Sequence, residues 1–151
     1  MMEEVRKKVN DALVTLINDI WTLEEKAIIT EGFKDLTNND MHVIEQVGLG
    51  EGDNMSSIAK RLRITVGSLT TAMNSLAKKG YVERVRSDAD RRIVMVCLTE
   101  KGVLAYKHHE DYHNQMTEAL LEALSEEELA AWVKSLDALD DFFHGYSARC
   151  Q

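Results

Sequence analysis

Proline is missing from all 151 residues, so nothing in the chain forces a break in a long helix. Cysteine is scarce as well: Cys97 and Cys150 are too few and too far apart in sequence for a disulfide framework. No run of about 18 or more apolar residues exists of the kind that spans a bilayer. The opening stretch MMEEVRKKVNDALV mixes acids, bases and apolar residues at helical spacing, unlike a signal peptide. Internal repeats and low-complexity linkers are also lacking. What remains is the expectation of one globular domain, 1–151, long enough to bury a core, with no membrane partner and the cytoplasm as its compartment.

The charge that is present is unevenly placed. The chain carries −8 overall. Residues 55–102 hold ten bases (Lys60, Arg61, Arg63, Lys78, Lys79, Arg84, Arg86, Arg91, Arg92, Lys101) against four acids (Glu83, Asp88, Asp90, Glu100), a balance of +6. The other residues hold eight bases against 22 acids, or −14. A local reversal of this size points to a polyanionic partner, because phosphate neutralisation supplies much of a DNA binder's affinity.

Apolar periodicity at Val5, Val9, Leu13, Leu16, Ile17, Ile20, Leu23 and Ala27 predicts a first helix to about Ile29, stopping near Gly32. Thr37 and Asp40 form a capping pattern for a second helix, and Gly48, Gly50 and Gly52 end it in a loop. A short helix follows, capped near Asn54 or Ser56, with Ile58, Ala59 and Leu62 facing inward. Arg63 and Ile64 make a tight turn, Thr65 caps a helix over 66–79, and Gly80 ends it. Two helices joined this way are a helix-turn-helix, whose second helix enters the major groove. Residues 81–85 and 93–98 have strand composition and, with the loop SDADRR, make a β-hairpin wing. A long helix from about Thr99 to Leu124 and a last helix capped by Ser125-Glu126-Glu127-Glu128 complete the chain. The fold class is mainly α with a small β-wing: a winged helix-turn-helix at 37–102, with helices in 1–36 and 103–151 forming a dimerisation region. Trp132, Leu136, Leu139, Phe142 and Phe143 are expected to divide between the chain's own core and that interface.

On the predicted reading helix, Leu69, Ala72 or Met73, and Leu76 face the core at three- and four-residue spacing. Thr65, Gly67, Ser68, Thr70, Thr71, Asn74 and Ser75 are left on or near the exposed side. Hydroxyls can contact phosphates or bases, threonine methyls can touch thymine, and Gly67 lets a backbone approach closely. Lys60, Lys78 and Lys79 are candidate phosphate contacts, and Arg86 is a further candidate for DNA binding. The plain alternative for each is an ordinary solvated helix or strand residue.

All five histidines lie outside this reader. His109-Glu110-Asp111-Tyr112-His113 spells the H-E-x-x-H of zinc peptidases, a five-residue pattern that also arises by chance. A chain built as a DNA reader is expected not to be an enzyme. His109 and His113 share a helical face that could meet His42 and Glu24. That set offers acceptable zinc ligands, a pocket for an effector, or a structural hydrogen-bond network. His108 and His144 are read as exposed, and no cofactor is required.

The run SIAKRLRITVGSLTTAMNSLAKKGYVERVRSDADRRIVMVCLTEKG resembles the winged helix-turn-helix of the MarR family of bacterial transcription regulators, and the flanking helices match that layout over nearly the whole chain. The resemblance implies a homodimer on a pseudo-palindromic operator in double-stranded DNA. It also implies a wing arginine in the minor groove, Arg91 or Arg92, steadied by a neighbouring aspartate, Asp90. Many members carry arginine where this chain has Thr71, so specificity is expected to lean on A·T-rich sequence and groove shape. Glu24, His42, His109 and His113 resemble the main zinc site of the family's zinc-uptake repressors, although those proteins place a cysteine where this chain has Thr30 or its neighbours. FKDLTNNDMHVIE, the reading helix and wing, and His109, His113 and Met116 resemble more closely the repressors of fatty-acid synthesis in Gram-positive bacteria. That likeness implies a long-chain acyl group on acyl carrier protein as effector, with the same four residues lining its pocket.

Overall fold

Each helix of the reading head begins on the cap that its sequence supplies. In the computed structural model, which describes residues 1–149 with side chains through Tyr146, Thr37 and Asp40 form a reciprocal capping box at the start of α2 (Asn38–Val47). Asn54, rather than Ser56, caps α3 (Met55–Leu62), accepting from the Ser57 N–H at 3.0 Å. Thr65 caps α4 (Val66–Lys79), accepting from the Ser68 N–H at 3.1 Å. A lost cap costs typically about 1 kcal/mol. The turn between α3 and α4 closes with Arg63 in the left-handed conformation, φ 56°, and Gly80 ends α4 at φ 82°.

The first helix, α1 (Met2–Ile28), stops a residue short of the predicted end, and Gly32 lies in a 3-10 turn over Glu31–Phe33. The wing contains β2 (Val82–Arg86) and β3 (Val94–Leu98), paired antiparallel with Arg84 opposite Val96. A third strand, β1 (Asp53–Asn54), pairs with β3 on its other edge, so the sheet order is β1-β3-β2. The sequence predicts only a loop there. Two residues carry no periodicity, and Asp and Asn disfavour strands; the pairing is imposed by the neighbouring β3. Gly52 makes this possible at φ +70°, because a Cβ there would sit 1.8 Å from the Val96 carbonyl oxygen.

The two long C-terminal helices are α5 (Glu100–Ala123) and α6 (Glu126–Arg149), with the Ser125–Glu128 capping box between them. The chain divides into two compact units, Met1–Tyr112 and His113–Gln151, with the division inside α5. In the first, Met73, Leu69 and Leu76 of α4 pack with Ile28, Met41, Ile44, Ile58, Tyr81 and Val96 in one core. Full burial of each such side chain is worth roughly 1.5–3 kcal/mol. Met73, rather than Ala72, is the fully buried residue at its turn. Gly102 at the start of α5 is buried against the Tyr81 carbonyl, where a Cβ would meet oxygen at 2.0 Å. In the second unit, Leu129, Trp132 and Leu139 are half-buried, while Val133, Leu136, Phe142 and Phe143 are exposed. On α1, Val5, Val9, Leu16, Ile17 and Ile20 are exposed too. No helix among the described residues is long and apolar enough to cross a membrane. Cys150 lies outside the described residues.

Candidate nucleic-acid interface and histidine cluster

With Leu69, Met73 and Leu76 turned inward, helical geometry leaves one outer face to α4, and Thr65, Gly67, Ser68, Thr70, Thr71, Asn74, Ser75 and Lys78 are all exposed on or beside it. The hydroxyls there are already oriented. Thr70 Oγ1 donates to the Val66 carbonyl at 2.8 Å, and Thr71 Oγ1 leans on the Gly67 carbonyl at 3.5 Å. Each threonine thus spends its donor on its own helix and keeps a methyl and oxygen lone pairs for a partner. Thr65 Oγ1 donates to Ser68 Oγ at 3.0 Å, which leaves Ser68 its own proton to donate. Gly67 has no structural need to be glycine, since a Cβ there would meet nothing closer than Thr65 Oγ1 at 3.8 Å.

In the wing, the Asp90 carboxylate accepts from the Arg92 N–H at 2.9 Å and lies 3.9 Å from Arg92 Nε. The aspartate therefore steadies Arg92 rather than Arg91. Arg92 is nonetheless 95% exposed, so its guanidinium projects from the turn. Ser87 and Ile93 close the loop base through the Ser87 N–H to the Ile93 carbonyl at 2.9 Å. Arg86 and Arg91 are also exposed.

The ten bases of 55–102 do not all face outward. Arg61 donates to Asp53 at 2.7 Å and to the Gln46 carbonyl at 2.7 Å. Lys79 is held by Asp40 at 2.9 Å. Lys101 lies 4.0 Å over the Tyr81 ring and donates to Asp35 and to the Lys79 carbonyl. These three tie α3, α4 and the start of α5 to α2, β1 and the turn before α2. Their acid partners lie outside the basic interval, so the sign reversal overstates the charge available to DNA. Asp35 is one perturbed member. Its carboxyl is held below the ordinary value, chiefly because the Tyr81 hydroxyl donates to it at 2.6 Å; burial opposes this and Lys101 adds to it.

The second candidate site starts from a buried carboxylate. Glu24, near the end of α1, is 4% exposed and accepts from Asn38 Nδ2 at 3.3 Å. Its oxygens lie 3.5 Å from His109 Nε2 and 3.9 Å from His42 Nε2. The two rings meet edge to face at 5.4 Å, and His42 Nδ1 faces Glu45 at 3.7 Å. The Glu45 contact raises the His42 pKa against the opposing effect of burial, with the Glu24 and Glu45 charges adding to the rise. The sequence groups Glu24, His42, His109 and His113 but carries no signal for Glu45 and Asn38, which become visible only once α2 is placed beside α1 and α5. Asn38 Oδ1 is buried without a hydrogen-bond partner, so the cluster holds an acceptor that a donor or cation would satisfy. One ligand atom each from His42, Glu45 and His109 lies within 4.8 Å of the others, a donor set that fits zinc. His113 is half-buried one turn beyond His109 on α5, where the second unit begins.

His108 departs from expectation. It is half-buried, stacked on Phe33 at 5.0 Å with Nε2 3.1 Å from the Ile28 carbonyl, because α5 passes the end of α1. His144 is exposed, as read from sequence. Within HEDYH, His109 is 1% exposed and faces Glu24, whereas a peptidase needs its ligands beside an open cleft.

A sequence profile described as the MarR family matches residues 34–93. The crystal structure of Streptococcus pneumoniae FabT in complex with DNA is 36% identical, covers 93% of this chain and 98% of its own, and superposes with a TM-score of 0.83. The Staphylococcus aureus MepR–DNA complex, 20% identical over 89% of this chain and 97% of its own at a TM-score of 0.66, shares the fold. Among curated proteins, the HTH-type transcriptional regulator SarZ of Staphylococcus haemolyticus is 38% identical over 69 residues, 46% of this chain and 47% of SarZ. The chain spans about half the length of the first such relatives it matches.

Proposed function

The chain belongs to the MarR family of DNA-binding transcription regulators, and on that premise we propose that it is a cytoplasmic homodimeric repressor of fatty-acid synthesis genes, with a long-chain acyl group on acyl carrier protein as its effector. The observation that carries the DNA-binding part is the geometry of α4 and the wing. A helix capped at Thr65 turns a face of small polar residues outward, and Arg92, braced by Asp90, projects from the turn beside it. Hydroxyls, methyls and a close backbone suit a major-groove floor, and a braced guanidinium suits the narrow minor groove alongside.

The fatty-acid part rests on the sequence likeness to that repressor subgroup and on the similarity to FabT along nearly the whole chain. The dimer part rests on apolar side chains left uncovered on a single copy: Val9, Ile17 and Ile20 of α1, and Val133, Leu136, Phe142 and Phe143 of α6. A two-fold dimer sets its reading helices about one DNA turn apart, so the operator is an imperfect palindrome. An effector bound beside Glu24, His42, His109 and His113 would shift that spacing, and a preference of a few kcal/mol is enough to change occupancy strongly.

The test is a band-shift assay on a duplex selected from a random library by the protein itself. Binding should tighten or loosen on adding acyl carrier protein loaded with a long acyl chain and ignore the unloaded carrier. An equal response to both would remove the acyl reading. Replacing Arg91 and Arg92 with Ala should abolish specific binding, and undiminished affinity would remove the wing's role.

A second reading has its own observation: the ligand atoms of His42, Glu45 and His109 gather around one point beside Glu24. On this reading the protein is a zinc-responsive repressor, with Glu24, His42, His109 and His113 as the ligands and Glu45 as a further donor. Metal analysis of protein purified without chelator, and a band shift with and without zinc, decide it. No bound zinc and no zinc effect would eliminate it.

A further inference from the structure

Arg84 lies outside the face of α4 but reaches one of its residues. On β2, side chains alternate between faces, so Arg84 and Arg86 share the side on which Val82 is buried. From there Arg84 Nη2 donates to Asn74 Oδ1 at 2.8 Å. A guanidinium has five donors and no acceptor. The contact therefore fixes which end of the Asn74 amide is which: the oxygen is taken by the wing, and the NH2 turns away from it. Asn74 lies one helical turn beyond Thr70 and one before Lys78, on the outer side of α4, and is exposed.

The chemistry of the two amide ends differs. An asparagine with both ends available pairs bidentately with adenine, accepting from N6–H and donating to N7. An asparagine whose oxygen is held by a guanidinium keeps a second lone pair, but its amide is pinned with the NH2 turned away from the wing. Held that way it favours phosphate oxygens, guanine O6 and N7, or thymine O4, and laying both amide ends along an adenine edge means turning against the Arg84 contact.

We propose that Arg84 is a positioning residue that holds Asn74 with its NH2 outward, biasing it toward hydrogen-bond acceptors and against the bidentate adenine contact an unconstrained asparagine would make there. This rests on the reading of α4 as the helix that enters DNA. It deepens that reading, because it links the wing to base choice through the protein rather than through a contact with DNA.

The test uses full-length protein and a duplex selected by the wild type from a random library, with affinities measured for wild type, Arg84→Ala, Asn74→Ala, the double variant and Asn74→Asp. Both side chains are exposed, so the variants should fold, and thermal melting checks this. Asn74→Ala should cost about tenfold in affinity, the size of one good polar contact to DNA. The double variant should bind no worse than Asn74→Ala. Asn74→Asp keeps the Arg84 contact but shows no donor outward, and should lose at least as much as Asn74→Ala. Repeating the library selection with Arg84→Ala should enrich adenine at the position facing Asn74, a change that general loosening of the wing would not produce. Additive losses in the double variant, together with a salt slope shallower by about 0.9 on removing Arg84 from the Asn74→Ala protein, would identify Arg84 as a phosphate contact and overturn the proposal. An unchanged base preference would overturn it as well. Failure of wild-type protein to select any duplex would instead bring down the DNA-binding reading on which it stands.

Discussion

Gly67 and Tyr81 separate the two demands on single residues, one made by the partner and one by the fold. No atom of the chain crowds a Cβ at Gly67, and glycine inside a helix costs roughly 0.5–1 kcal/mol relative to alanine. Gly67→Ala should therefore hold or raise the melting temperature while weakening operator binding. Equal operator affinity would show that no close backbone approach occurs there. Tyr81 is fully buried, and its hydroxyl ends on the partly exposed Asp35 carboxylate. Tyr81→Phe should cost about 1 kcal/mol and let the Asp35 pKa rise toward its ordinary value near 3.8. The sign follows from proton linkage. Because the folded value is depressed, this contribution is complete above the ordinary pKa and is lost as pH falls through the folded one. Side-chain NMR titration of Asp35, with denaturant melts below pH 4, should show both the rise and a weaker acid dependence in the variant.

Among elements, the wing depends on contacts that no local signal encodes. β1 holds to β3 through a glycine that lets backbone pass within what would be covalent range of a Cβ, and α5 docks on Tyr81 through Gly102 in the same manner. Gly52→Ala and Gly102→Ala should each destabilise the fold by about 3 kcal/mol, since backbone rather than a flexible side chain must give way. Urea melts would show it, and a change under 1 kcal/mol in either would mean that the close approach is easily relieved. The caps of α2, α3 and α4, the Gly80 stop and the wing strands were legible because each depends on residues within a few positions of one another. β1 was not, because its pairing partner is more than forty residues away. Contacts between elements likewise hid the role of Arg61, Lys79 and Lys101, which looked like reader charges and are spent on Asp53, Asp40 and Asp35.

For the whole molecule, the apolar side chains exposed on a single copy predict its assembly. Phe142→Glu and Leu136→Glu place a charge on α6 where apolar side chains stand uncovered. Sedimentation at micromolar concentration should show a shift toward monomer, with loss of binding to a palindromic duplex but less loss on a half-site. A dimer unchanged in both variants would move the interface away from this part of α6. DNA affinity should also fall steeply with salt, log K declining by about 0.9 per phosphate contact for each unit of log salt. With three of the ten bases committed internally in each copy, a slope requiring all twenty of a dimer would contradict the structure.

The sequence alone determined the helices, the caps, the outer face of α4 and the arginine turn, because capping, periodicity and turn chemistry act over a few residues. It also grouped Glu24, His42, His109 and His113 as one candidate site by resemblance and helical spacing. Tertiary structure decided which charges remain for a partner, which aspartate braces which arginine, and that His108 is sheltered. It also decided that Arg84 governs Asn74 and that Glu45 and Asn38 join the histidines. Each of these depends on side chains meeting across elements, and the free energy of such a meeting is set by distance and burial in the folded chain rather than by spacing along it.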